Sequence, residues 1–217
     1  MGWLTEIMTD TLILLNNWVH NYGLAIIILT IFIKLLLYPL TAKQTKSMKA
    51  MQDLQPEMKK IQEKYKDNKE KQQEEMMKLY QEHNVNPAAG CFPMILQLFI
   101  IWPLFRAISG LKDIMAPEEA TFLWIGNLTE GSLATPDITL IIINVIAMIG
   151  QTYLTQKWTG NNSQNNAIMW VMPFIILWFG FKLPAGVLLY WLTQTVLTVI
   201  QQYIIYQDPE MKGAVGE

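Results

Sequence analysis

Few residues in this chain have the chemistry for catalysis. It has one cysteine and two histidines, Cys91, His20 and His83. One thiol forms no internal disulfide and no CxxC or Cys/His zinc cluster, and Cys91 in GCFP has no histidine nearby in sequence to activate it. Such a cysteine reads as a small hydrophobe, and neither an enzyme nor a metal or cofactor site is expected. The residue that stands out is Lys34, inside an apolar run from Leu24 to Leu40 that holds no other charge. A cation at membrane depth is costly and usually faces a bundle interior or a water-filled cavity, so its expected chemistry is electrostatic attraction of an anionic group. Snorkelling of its long stem to the interface is the plainer reading.

Polar residues at helical spacing extend this pattern. Thr30, Tyr38 and Thr41 share a face with Lys34, and a second stripe in Ile138–Leu154 and just beyond contains Asn144, Gln151 and Thr155. A third contains Tyr190, Gln194, Thr198 and Gln201, flanked by Trp191 and Thr195, while Gln97 is a lone amide in the run Cys91–Leu111. Each could simply bridge two membrane helices. Together they predict a hydrated cavity around Lys34, because so many buried polar groups otherwise lack partners. No Asp or Glu lies in any apolar run, which disfavours a proton-coupled carrier.

The elements that must position these residues follow from composition. The chain has 217 residues, 52% hydrophobic and 16% charged, with a net charge of −2. That is too apolar and too charge-poor for a typical soluble domain. Residues 43–82 hold ten Lys and eight Asp/Glu, 18 of the 34 charges, so near-neutrality averages an ionic block with bare flanks. Five membrane spans are predicted, at 21–42, 87–111, 138–156, 167–181 and 183–206. The fourth, Ile168–Phe181 at its core, rises only about 21 Å against roughly 30 Å of hydrocarbon, which suggests local thinning of the bilayer or a link drawn into the interface.

The remaining segments fall between these spans. Residues 1–20 contain Trp3–Trp18, an amphipathic stretch with acids at Glu6 and Asp10 and no basic n-region, and read as an interfacial helix rather than a signal peptide, or else as a frayed tail. Residues 43–86 read as a helical hairpin turning at Asp67-Asn68 and punctuated by Pro56 and Pro87, serving as a docking element or a solvated spacer. A loop at 112–137, a loop at 157–166 and a tail at 207–217 complete the division. The loop after the first span carries ten Lys, whereas 112–137 carries one Lys and five acids, so the hairpin and C-terminus are expected in the cytoplasm and the N-terminus outside.

Three segments in this order, YPLTAKQTKSMKAMQDLQPEMKKIQEKYKDN, EEMMKLYQEHNVNPAAGCFPMILQ and FKLPAGVLLYWLTQTVLTVIQQYIIY, resemble the YidC-type membrane protein insertases of the Oxa/YidC/Alb superfamily, from about Asn21 to Tyr206. The resemblance implies an all-α polytopic protein with five transmembrane helices around a hydrophilic groove, open to cytoplasm and lipid. It also implies a single groove cation, Lys34 in FIKLLLYPL, with Thr30, Gln151 and Trp191 lining the groove and Tyr190 beside the substrate path. Gln194, Asn144 and Gln97 join this candidate site from the stripes above.

Implied partners are nascent membrane proteins, ribosome–nascent chain complexes, the Sec translocon and membrane lipids, with no nucleotide or metal and no sequence-specific nucleic-acid binding. The implied setting is a bacterial plasma membrane. Lys departs from the Arg more usual in the family and is a more compact, more hydrated cation. The chain resembles the form without a large extracytoplasmic domain, and its tail, QDPEMKGAVGE, is not basic as a ribosome-binding tail would be. In the expected mechanism a short hydrophilic client tail enters the groove, and the client's apolar segment passes spans three and five into lipid. A lipid scramblase using the same groove is the alternative; a solute carrier would need an internal repeat that the chain lacks.

Overall fold

Apolar runs give rise to the longest of the described helices. In the computed structural model the described residues are 2–83, 85–86, 92–116, 118–129, 137–159, 173–174 and 178–207. Among them the helices are α1 (Gly2–Val19), α2 (Tyr22–Leu36), α3 (Tyr38–Asp53), α4 (Gln55–Lys64), α5 (Lys69–Glu82), α6 (Phe92–Gly110), α7 (Ile138–Thr159) and α8 (Ala185–Gln207), with 3-10 turns at Leu111–Asp113 and Gly180–Lys182. Most of the expected fourth span lies outside the described residues, as do residues 160–166, Pro87, Cys91 and the tail from residue 208.

The caps are of the expected chemical type. Asn21 accepts from the Leu24 N–H at 3.1 Å to start α2, and Asn68 does the same for Lys71 N–H at 3.1 Å to start α5. Between α1 and α2 the chain turns through His20 in the left-handed region at φ 49°. The first apolar run does not continue as one straight helix. It breaks at Leu37 with a 62° bend, and α3 then runs without interruption from Tyr38 past residue 42 to Asp53. Pro39, in the first turn of α3, has no N–H to donate back into α2, so a break here costs less than anywhere else in the run.

The apolar core lies at one end of the bundle. Its buried members are Met8 and Leu12 of α1, Tyr22 to Leu29 on α2, Leu104 to Leu111 at the far end of α6, Leu140 and Ile141 of α7, and Ala185 to Tyr190 of α8. Residues 118–129 close over that end. The Leu128 carbonyl accepts the Gly186 N–H at 2.8 Å, the Glu119 carbonyl accepts the Tyr22 N–H at 3.2 Å, and the Asn16 amide donates to the Glu119 carboxylate at 3.0 Å. Gly23 has no side chain because the Phe122 ring occupies the space a Cβ would fill.

At the other end α4 and α5 pack on each other through a separate small cluster of Leu54, Leu79 and Val85 with Met58, Ile61 and Tyr80. Burial pushes the Tyr80 hydroxyl above the usual tyrosine range. Hydrogen bonds from Lys78 to Glu74 and Glu75 hold its ammonium above the usual lysine range.

The outer faces of the bundle are apolar to a degree unusual for a surface in water. Phe32, Leu36, Leu98, Phe99, Ile146 and Ile204 are all exposed. Among the described residues the stretch Ile138–Trp158 is by itself long and apolar enough to cross a membrane. α2 and α3 meet that criterion only as a bent pair, and the apolar part of α6, Ile95–Gly110, is shorter.

Candidate functional site

Beyond the last core residues, Leu29 on α2 and Tyr190 on α8, the facing side chains become polar. α2 and α8 pack together along this stretch, which brings Lys34 against α8. The Lys34 ammonium donates to Thr198 Oγ1 at 2.7 Å, and the Thr198 hydroxyl donates in turn to the Gln194 carbonyl at 2.7 Å, one helical turn back. With its hydrogen so engaged, Thr198 presents lone pairs to the ammonium. Gln201, the next residue along this face of α8, donates from Nε2 to the Lys34 backbone carbonyl at 3.0 Å. Lys34 is half-buried, and among the described residues one of its donors is engaged.

No carboxylate among the described residues pairs with Lys34. Described ion pairs include Lys49–Asp53, Lys78 with Glu74 and Glu75, and His83–Glu57. A half-buried cation without a counter-ion keeps most of its attraction for an incoming anion, because the surrounding apolar residues weaken dielectric screening.

A second polar group joins α6 to α8. Gln97 Nε2 donates to Gln194 Oε1 at 3.0 Å, Gln194 Nε2 returns a bond to Gln97 Oε1 at 2.6 Å, and Gln97 Nε2 also lies 3.4 Å from the Tyr190 hydroxyl. Each amide satisfies the other, so the pair closes the seam yet can exchange for a peptide group without leaving a bare dipole.

The remaining predicted residues are placed differently. Asn144 is fully buried and donates to the Leu140 carbonyl at 2.9 Å and to the Leu188 carbonyl at 3.1 Å, pinning α7 to α8. Thr155 adds a second pin through Gln202 Oε1 at 2.8 Å. Thr30 is buried and its hydroxyl donates to the Ile26 carbonyl of its own helix at 2.6 Å. Gln151 and Trp191 are half-buried, and no described hydrogen bond joins either to Lys34. The bend at Leu37 carries Tyr38 and Thr41 onto α3, off the straight line of the α2 stripe.

Two contributors, Thr198 and Gln201, are visible in the sequence as members of the α8 stripe. Helical spacing places them on one face with Gln194, but spacing does not say which residue of another helix that face meets.

Comparison with known proteins bears on this arrangement. The model of a family described as 60Kd inner membrane protein matches residues 14–212. A membrane protein insertase YidC of Fusobacterium nucleatum subsp. nucleatum is 40% identical over 201 residues, covering 92% of this chain and 91% of that protein. A membrane protein insertase YidC 2 of Bacillus anthracis is 41% identical over 204 residues, covering 92% of this chain and 77% of that one. A crystal structure of an active YidC insertase, with its first transmembrane domain resolved, superposes with a TM-score of 0.74 at 32% identity; the match spans 92% of this chain but only 45% of the crystallised one.

Proposed function

The chain belongs to the 60Kd inner membrane protein family, that of the YidC-type membrane protein insertases, and from this premise we propose that it inserts nascent membrane proteins by way of a polar groove centred on Lys34. The observation that carries this reading is the change in lining along the bundle. The main cluster of buried apolar residues ends at Leu29 on α2 and Tyr190 on α8, and beyond it stands a half-buried cation with no carboxylate partner among the described residues. The groove is closed at the end covered by residues 118–129 and open at the end of α4 and α5. The Lys-rich α3 to α5 region faces the cytoplasm, the 118–129 loop faces outward, and the setting is a bacterial plasma membrane crossed five times. α1 lies in the outer interface, with Trp3, Ile7, Leu14 and Trp18 exposed and the exposed acids Glu6 and Asp10 beside them at the headgroup level.

A short acidic client tail, arriving from the ribosome or alongside the Sec translocon, enters from the cytoplasm toward Lys34. The cation offsets part of the tail's desolvation, and Gln151, Trp191, Gln194 and Gln97 supply partial replacement for its lost water, with Thr30 and Tyr190 packed behind them. Burial of the client's apolar segment in lipid then drives the net transfer. The seam between α7 and α8 is a poor exit, since Asn144 and Thr155 pin it. The client leaves on the α6 side, where the Gln97–Gln194 amide pair bridges to α8 and Leu98, Phe99 and Trp102 are exposed.

Purified protein in liposomes tests this directly. A single-span client with an acidic translocated tail is expected to become protease-protected in a protein-dependent manner, without nucleotide or metal. Rapid exchange of labelled lipid between leaflets with no client insertion would instead favour a scramblase.

A further inference from the structure

Lys34 is held at both of its ends by a single face of α8. Its carbonyl lies in the last turn of α2, just before the break at Leu37, where helix carbonyls lose their regular intrahelical donors. Gln201 satisfies it from α8 at 3.0 Å. Three residues earlier on that helix, and therefore on the same face, Thr198 accepts from the ammonium at 2.7 Å. The hydroxyl cannot readily turn to offer a hydrogen, because that hydrogen is committed to the Gln194 carbonyl. A lysine has a flexible four-carbon stem, and without such anchors its charge would sample many positions along the groove. Gln201 is itself buried, so its grip on the Lys34 backbone is shielded from water.

We infer that Thr198 and Gln201 are positioning residues for the groove cation. Gln201 holds the end of α2 that the Leu37–Pro39 break leaves, and Thr198 sets where the ammonium sits, so that its remaining donors face an entering carboxylate. Neither touches the client in this scheme. They act through Lys34, and the resulting preference is for clients whose translocated tail carries a carboxylate. This rests on the insertase reading above and adds to it the residues that set client selectivity.

The test is a ratio measured in proteoliposomes: insertion of an acidic-tailed client divided by insertion of the same client with a neutral tail. The ratio cancels differences in the amount of folded protein. Thr198→Val replaces the hydroxyl with a methyl of similar size and is expected to lower the ratio about three- to tenfold, the range for losing one hydrogen bond to a charged group that water partly replaces. Thr198→Ser is expected to restore it. Gln201→Leu is expected to lower it about two- to threefold by freeing the end of α2. Where Thr198→Val does not accumulate, Thr198→Ala makes the same measurement.

Lys34→Ala run in parallel separates the two levels of explanation. If Lys34→Ala abolishes the acidic preference while Thr198→Val and Gln201→Leu keep the wild-type ratio, the positioning role is overturned and the insertase reading stands. If Lys34→Ala also keeps the ratio, both the positioning role and the charge-based account fall.

Discussion

Lys34→Ala is expected to cut the insertion of acidic-tailed clients by about tenfold or more, with a much smaller effect on neutral tails. The estimate starts from a Coulomb energy of about 4 kcal/mol for unit charges 4 Å apart at an effective dielectric of 20, most of which water in an open groove would recover. Lys34→Arg is expected to retain activity. Thr198 still accepts from a guanidinium, and the planar fork binds a carboxylate at least as well as an ammonium does. The measurement is protease protection of the translocated tail for the two clients at equal levels of each variant. Equal insertion of both by Lys34→Ala would mean that the charge does not act on the client.

Gly186→Val is expected to destabilise the fold strongly. Gly186 begins α8 where α2, α6 and the 118–129 loop converge, and its N–H donates to the Leu128 carbonyl at 2.8 Å. A Cβ there would stand 3.0 Å from the Leu128 carbonyl oxygen, 3.1 Å from Ile26 Cδ1 and 3.2 Å from Ile108 Cγ2. Backbone and two buried side chains would have to move, and the branched methyls of valine add to the crowding. Overpacking of this kind costs about 1–3 kcal/mol. At about 2–4 °C per kcal/mol for a chain of this size, the melting temperature in detergent should fall by roughly 2–12 °C, with Gly186→Ala falling less. An unchanged melting temperature for Gly186→Val would show that this end of the bundle is looser than its packing implies.

The sequence made the candidate groove charge legible but not its surroundings. Lys34 stands out because an unpaired ionisable group in an apolar run has few structural explanations, and the motifs around Tyr38-Pro39 point to the family. Asp67-Asn68 marks the turn of the hairpin, and in the structure Asn68 also caps α5. The break at Leu37 was harder to read. Pro39 is visible, but a proline can begin a new helix or merely kink an old one, and only the packing of α2 on α8 decides between them.

The same limit applies to partners. Periodicity assigns a residue to a face, so Asn144 and Gln97 look alike on paper as amides within apolar runs. In the structure one is a fully buried pin between α7 and α8, and the other is half of an exchangeable pair between α6 and α8. Under the proposed insertase reading, that difference favours an exit on the α6 side over one past the third and fifth spans. Thr198 and Gln201 gain their importance only through contact with Lys34, 164 and 167 residues away in the chain.

The central claim is that a client passes through the groove around Lys34. Its most direct test is photo-crosslinking from Thr30, Gln151 and Trp191, each replaced singly by a photoreactive residue, to a ribosome-stalled nascent membrane protein. The groove account predicts crosslinks from all three positions to the client's hydrophilic tail. Crosslinks confined to probes between Trp3 and Trp18 would contradict it and place the client on the outer helix instead.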